Sequence, residues 1–154
     1  LMHDIAISDA EWEVMRVVWA QDSTTSSEIV DVLSEKMSWK APTIKTLIGR
    51  LVKKNMLRTQ KDGKRFIYRA TIEEQEAINH TMEMLLSQIC SRRVVYTVEQ
   101  MIEMSELSVG DIEKLEETLA KKKQTAPLEI KCNCVPGQCT CHKYNNKRKE
   151  GVEK

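Results

Sequence analysis

The sequence predicts a mainly α chain: three helices and a β-hairpin at the N-terminus, a helical middle, and a cysteine-rich tail. Three observations carry that expectation. Apolar residues recur at helical spacing through most of the chain before the tail. The repeat gives way to alternation once, around "RTQKDGKRFIYRA". Four of the five cysteines fall within "CNCVPGQCTC", residues 132–141.

The first helix begins in "ISDAEWEVMRVVWA", where Ser8 is an N-cap residue and Glu11 stands three positions on, as in a capping box. Trp12, Met15 and Trp19 then share a face, with Val18 beside them. "DSTTSSEIVDVLSEKM" repeats the signal: Thr25 and Glu28 form a second capping box, and Ile29, Leu33 and Met37 line one side. In "APTIKTLIGRLVKKN" Pro42 suits the first turn of a third helix, where a missing N–H costs little. The period then changes. Phe66, Tyr68 and Ala70 alternate with Arg65, Ile67 and Arg69, and Asp62-Gly63 supplies a hairpin turn. Three helices followed by a hairpin are the element order of a winged helix-turn-helix, assigned to residues 1–71.

Beyond Ala70 the helical period returns. Thr71 and Glu74 offer another capping box, and Ile78, Met82, Leu85 and Ile89 form a stripe. Val94, Val98 and Met101 predict a further helix. Ser108 caps a last one carrying Ile112, Leu115 and Leu119, which Lys121, Lys122 and Lys123 close against its dipole. Such short amphipathic helices have too little partner surface within one chain. A twofold copy supplies it, so residues 72–124 read as a dimerisation region of a homodimer. Met82, Met84, Met101 and Met104 fit there as pliable packing. Thr125-Ala126-Pro127 opens a linker, and residues 125–154 form the tail, ending in a basic, disordered stretch.

A net charge of +1 hides a segregation. From Lys36 to Ala70 there are eleven basic residues and one acid, Asp62; from Thr71 to Ala120 there are three basic residues and eleven acids. The basic segment coincides with the third helix and the hairpin, which points to a polyanionic partner. No basic-then-apolar leader and no membrane-length apolar run is present, so a cytoplasmic protein without a membrane partner is expected. Clustered thiols in that compartment bind metal or act in redox chemistry more often than they form disulfides. No catalytic constellation can be assembled, and an enzyme is not expected.

Ile44, Leu47, Ile48 and Leu51 occupy one face of the third helix and should pack inward. Thr43, Thr46, Arg50 and Lys53 fall on the opposite face, with Lys45 at its edge and Lys40 just ahead of the helix. This is the composition of a recognition helix: arginine forks to guanine, a threonine methyl touches thymine, and lysine reaches phosphate. Lys61, Lys64 and Arg65 at the hairpin would position the domain on the backbone without reading sequence. The plain alternative is a solvated face on a core helix; the hairpin and the surrounding charge weigh against it.

At this point "ISDAEWEVMRVVW", "TIKTLIGRL" and "DGKRFIYRA" resemble the BlaI/MecI family of winged-helix repressors, over roughly residues 5 to 124. The resemblance implies a dimer on a pseudo-palindromic double-stranded operator, with Thr43, Thr46 and Arg50 as base readers. Pro42 departs from relatives that carry a basic residue there, which puts one contact in doubt. Antibiotic-responsive members are switched by cleavage at Asn-Phe. An ungapped placement puts Gln100-Met101 at that point, so the resemblance does not extend to that switch.

In the tail, Cys132-x-Cys134 and Cys139-x-Cys141 flank "VPGQ", whose Pro136-Gly137 pair favours a type II turn. The turn folds one pair back on the other, and Lys131 and Lys143 would favour the thiolate form. All-thiolate sites suit Zn(II) and Cu(I). One tetrahedral zinc needs four sulfurs, whereas Cu(I) takes two or three per ion and forms compact clusters. On a BlaI/MecI-like body this motif resembles the CopY-type copper-responsive repressors. That resemblance implies a zinc form that holds the operator of copper-homeostasis genes and release when Cu(I), from a donor such as a copper chaperone, displaces zinc. The other readings are a copper-buffering thiolate protein and a repressor switched by proteolysis. Cys90, beside the Ile89 stripe, reads as a small buried hydrophobe. His142 reads as a solvated neighbour of the cluster, and His3 and His80 stand apart.

Overall fold

The computed structural model describes residues 5–141. His3, His142, Lys143 and the basic stretch after it lie outside the described residues. The elements run α1 (Asp9–Gln21), β1 (Thr24–Thr25), α2 (Ser26–Met37), α3 (Ala41–Lys53), β2 (Leu57–Asp62), β3 (Arg65–Ala70), α4 (Glu74–Ser87), a 3₁₀ turn (Ser91–Arg93), α5 (Val94–Met104) and α6 (Val109–Lys123). They fall into two compact units, the first reaching Met82 and the second starting at Glu83.

The first unit is built from the predicted caps and stripes. The Ser8 hydroxyl accepts from the Glu11 N–H at 3.1 Å, and Thr25 and Glu28 make a reciprocal capping box at the start of α2. From α1, Val14, Met15 and Val18 point into the core, joined by Ile29 and Leu33 of α2 and by Ile44, Leu47, Ile48 and Leu51 of α3. Truncating a fully buried member such as Leu51 to alanine would cost about 2–5 kcal/mol. Trp12 and Trp19 are only half-buried. Their rings meet edge to face at 5.4 Å, and Trp19 Nε1 donates to the Ile72 carbonyl at 2.9 Å. The core face of α1 is therefore shifted from the tryptophan stripe toward Val14 and Val18.

Helix α3 ends in a Schellman arrangement. Asn55 sits in the left-handed region (φ 60), with Asn55 N–H on the Val52 carbonyl and Met56 N–H on the Leu51 carbonyl. Asparagine tolerates that conformation, and the reversal starts β2 with Met56 and Leu57 buried at its base. β2 and β3 pair antiparallel from Leu57 opposite Ala70 to Asp62 opposite Arg65. The loop is Gly63-Lys64, one residue later than the Asp-Gly signal, with Gly63 at φ 64. The two-residue strand β1, which periodicity could not reveal, pairs Thr24 with Tyr68 and Thr25 with Ile67, giving the sheet order β1-β3-β2. Tyr68 and Ala70 pack against the core, whereas Phe66 near the tip stays exposed. Alternation holds only where a helix lies beneath the strand.

Thr71 does not cap α4. Its hydroxyl donates to the Asn55 carbonyl, and α4 begins at Glu74. Ala77 is the buried residue of that helix and Ile78 is half-buried. In the second unit, Ile89 lies beyond the end of α4, so the stripe expected to reach it stops at Leu85. Helices α5 and α6 contain no buried residue. Leu85, Val98, Ile112, Leu115 and Leu119 are all exposed, as are Met82, Met84, Met101 and Met104. Ser108 and Asp111 form a capping box on α6, and Lys121, Lys122 and Lys123 fill its last turn. Among the described residues no helix is long and apolar enough to cross a membrane.

Candidate DNA-reading face and candidate metal centre

Helix α3 buries Ile44, Leu47, Ile48 and Leu51, and this sets what its other side presents. Thr43, Lys45, Thr46, Arg50 and Lys53 are exposed, and so is Lys40 at the N-cap. Thr46 donates its hydroxyl hydrogen to the Pro42 carbonyl at 2.9 Å. Pro42 itself occupies the first turn of α3, as its φ restriction favours. On the hairpin Lys61, Lys64 and Arg65 are exposed, and Arg65 lies 3.5 Å from Asp62.

Two cations of the basic segment are committed elsewhere. Lys36 is 2.6 Å from Glu13, and Lys54 is 2.8 Å from Glu11. Lys54 also donates to the Ala6 carbonyl. Glu11 is buried, which by itself would raise its pKa, but Lys54 and Ser8 together hold it below its ordinary value. In the sequence Glu11 is marked only by its place in the capping pattern. Only the fold shows that it is also the buried partner of Lys54, 43 residues away.

The second unit carries the thiols. Pro136 and Gly137 form the predicted turn: Gln138 N–H donates to the Val135 carbonyl at 3.1 Å, with Gly137 at φ 97. The two Cys-x-Cys pairs meet, with Cys132 Sγ 3.3 Å from Cys139 Sγ, and the Cys134 N–H donates to Cys132 Sγ at 3.4 Å. A fifth sulfur joins them. Cys90 Sγ lies 3.6 Å from Cys132 Sγ and 3.7 Å from Cys141 Sγ. Cys90 is buried, as expected of a small hydrophobe, but its thiol faces the cluster rather than an apolar core. No spacing rule connects residue 90 to the tail motif, so the sequence carries no signal for this contact. The tail is pinned at the same point by Ser91, whose N–H donates to Asn133 Oδ1 at 3.0 Å and whose hydroxyl donates to the Lys131 carbonyl at 2.6 Å.

The sulfur geometry fits a soft metal. A Zn–S bond of about 2.3 Å places tetrahedral sulfurs about 3.8 Å apart. The sulfurs of Cys90, Cys132, Cys134 and Cys139 all lie within 4.8 Å of one another. Separations of 3.3–3.7 Å are far longer than a disulfide bond. Proton sharing within the cluster is uneven. The Cys141 backbone amide, aided by the Cys132 thiol, lowers Cys139 to about 7, and the Arg92 amide lowers Cys90. Burial and then the neighbouring sulfurs push Cys134 and Cys141 up to about 12. The Cys134 amide lowers Cys132, yet contacts with Cys139 and Cys90, together with burial, leave it raised. Burial leads at Cys134 and Cys141, and backbone amides lead at Cys90, Cys132 and Cys139. Loading such a site releases protons, so its metal affinity rises with pH. A cleft of about 920 Å³ opens beside the sulfurs, lined by Cys90, Cys139, Tyr96, Met101 and Met104 among others.

A helix buried by one face and basic on the other, followed by a two-stranded wing, defines a winged-helix DNA-binding protein. Comparison with known proteins narrows the class. Residues 7–121 match the penicillinase repressor family, and the chain belongs to that family of transcriptional repressors. It is 42% identical to an uncharacterised 16.5 kDa protein of Latilactobacillus sakei over 89% of this chain and 94% of that one. It is 33% identical to the methicillin resistance regulatory protein MecI of Staphylococcus aureus, over 75% of this chain and 94% of the relative. Among solved structures it is similar to monomeric Bacillus licheniformis BlaI in complex with the blaP half-operator. There the identity is 41% over 46% of this chain and 87% of that one, with a TM-score of 0.42.

Proposed function

We propose that the protein is a metal-responsive, homodimeric repressor that binds a pseudo-palindromic operator of copper-homeostasis genes. Residues 1–71 bind DNA, residues 72–124 dimerise, and the thiols after residue 125 sense metal. Thr43, Thr46 and Arg50 read bases, while Lys40, Lys45, Lys53, Lys61, Lys64 and Arg65 hold phosphates. Ile78, Met82, Leu85, Ile89, Val98, Ile112, Leu115 and Leu119 form the dimer contact, supported by two helices that bury nothing within one chain. Zn(II) keeps the protein on DNA. Cu(I), delivered as the free ion or by a copper chaperone, takes the same thiols in a different geometry and lowers operator affinity.

One observation carries this reading: an all-sulfur cluster with near-tetrahedral spacing lies on a chain of a repressor family. Cysteine sulfur selects soft ions, and one sulfur set cannot serve a single tetrahedral zinc and a multi-copper cluster at once. Couplings of about 1–3 kcal/mol change affinity about 5- to 150-fold, enough to switch repression.

The test is operator binding by fluorescence anisotropy with zinc, with Cu(I) and with chelator. Cu(I) should weaken binding at least about tenfold relative to zinc, and serine at Cys132, Cys134, Cys139 and Cys141 should remove the response while leaving the winged helix folded. A copper response that survives the quadruple substitution would place the sensor elsewhere. Absence of salt-dependent DNA binding would favour a thiolate copper buffer instead.

A further inference from the structure

We propose that Cys90 is a ligand of the metal centre, so that zinc is held by Cys90, Cys132, Cys134 and Cys139, and Cys141 is an added sulfur engaged by Cu(I). The proposal rests on the metal-sensing reading and deepens it. It moves the site from a local loop in the tail to a clamp between the tail and the turn after α4.

Four features of the second unit converge on it. The sulfurs of Cys90, Cys132, Cys134 and Cys139 lie mutually within 4.8 Å. Cys90 Sγ stands 3.6 Å from Cys132 Sγ, close to the tetrahedral spacing of about 3.8 Å that a Zn–S length of about 2.3 Å requires. The backbone around Cys90 is fixed from both directions: the Arg93 N–H donates to the Cys90 carbonyl at 2.8 Å, and Ser91 holds Asn133 and Lys131 of the tail. Finally, five sulfurs are one more than tetrahedral zinc needs. Cys141, 3.7 Å from Cys90, is placed to join when several Cu(I) ions, each taking two or three thiolates, replace one zinc.

The consequence is regulatory. Cys90 and Cys132 are 42 residues apart, and the segment between them contains α5 and α6. A metal shared by both ends closes that segment into a loop. Metal binding is then linked to the folding and packing of the helices proposed to dimerise, because the site is complete only when tail and turn are docked. Exchange of zinc for copper acts on the helical region through Cys90 itself. The tail need not reach DNA.

The test uses the full-length protein and zinc. Cys90 lies between Arg69 and Arg92, so trypsin releases it apart from the tail cysteines, and its reaction with N-ethylmaleimide can be followed by mass spectrometry. One equivalent of zinc should slow modification of Cys90 at least about tenfold, in step with the tail cysteines. That protection should vanish when the four tail cysteines are serine. In parallel, Cys90→Ser should weaken zinc binding at least about tenfold, more than Cys141→Ser does.

Zinc that protects the tail while Cys90 reacts at its metal-free rate would overturn the proposal and leave the sensor reading standing. So would Cys141→Ser weakening zinc more than Cys90→Ser. Zinc that protects no cysteine would overturn both. The protection experiment needs no variant at Cys90, so it decides the matter even where Cys90→Ser disturbs folding.

Discussion

Glu11 shows how one residue acquires two jobs. As the third residue of α1 it supports the Ser8 cap, and as a buried carboxylate it holds Lys54 at 2.8 Å. Its folded pKa is depressed below the ordinary 4.5, so its stabilising contribution is present above that value and is lost as pH falls through the folded pKa. Thermal melts should therefore show wild type losing more stability than Glu11→Gln on acidification below about pH 4.5. At neutral pH Glu11→Gln should cost about 1 kcal/mol, the ion-pair share being discounted because Lys54 is partly solvated. Arg50 is the contrasting case: exposed, and needed by no part of the core. Arg50→Ala should reduce binding to an operator selected from random DNA by about 1–3 kcal/mol while nonspecific binding changes far less. Equal losses on both DNAs, measured by anisotropy, would assign it to phosphate contact.

At the scale of elements, the wing and the cysteine turn are the informative pieces. Lys61 and Lys64 stand on a hairpin whose tip is solvated. Replacing both with alanine should weaken operator and random DNA alike and flatten the log–log salt dependence by about 2. In the turn, Gly137 has φ 97, a conformation that costs an L-residue about 1–2 kcal/mol. Gly137→Val should therefore lower zinc affinity about tenfold without touching a ligand, which a competition titration against a chromophoric chelator would show.

For the whole molecule, the decisive feature is apolar surface that stays exposed among the described residues. Helices α5 and α6 present Val98, Ile112, Leu115 and Leu119 to solvent, and all of them precede residue 125. The protein truncated after residue 124 should therefore sediment as a dimer at micromolar concentration. A monomer would shift dimerisation to the metal-binding segment.

Periodicity, capping pairs and an Asp-Gly turn are local signals, and through them the sequence alone determined the helices, the hairpin and the Cys-x-Cys loop. The Ile44, Leu47, Ile48 and Leu51 face and the Pro136-Gly137 turn were legible for that reason. Tertiary structure decided what depends on distant pairing. It added β1 beside β3, turned Thr71 from a helix cap into a partner of Asn55, set Lys54 on Glu11, and brought Cys90 to Cys132. None of these contacts leaves a repeat in the chain. Each joins groups far apart in sequence, such as the buried Glu11 carboxylate with Lys54 or two sulfurs 42 residues apart, and only the folded chain makes them neighbours.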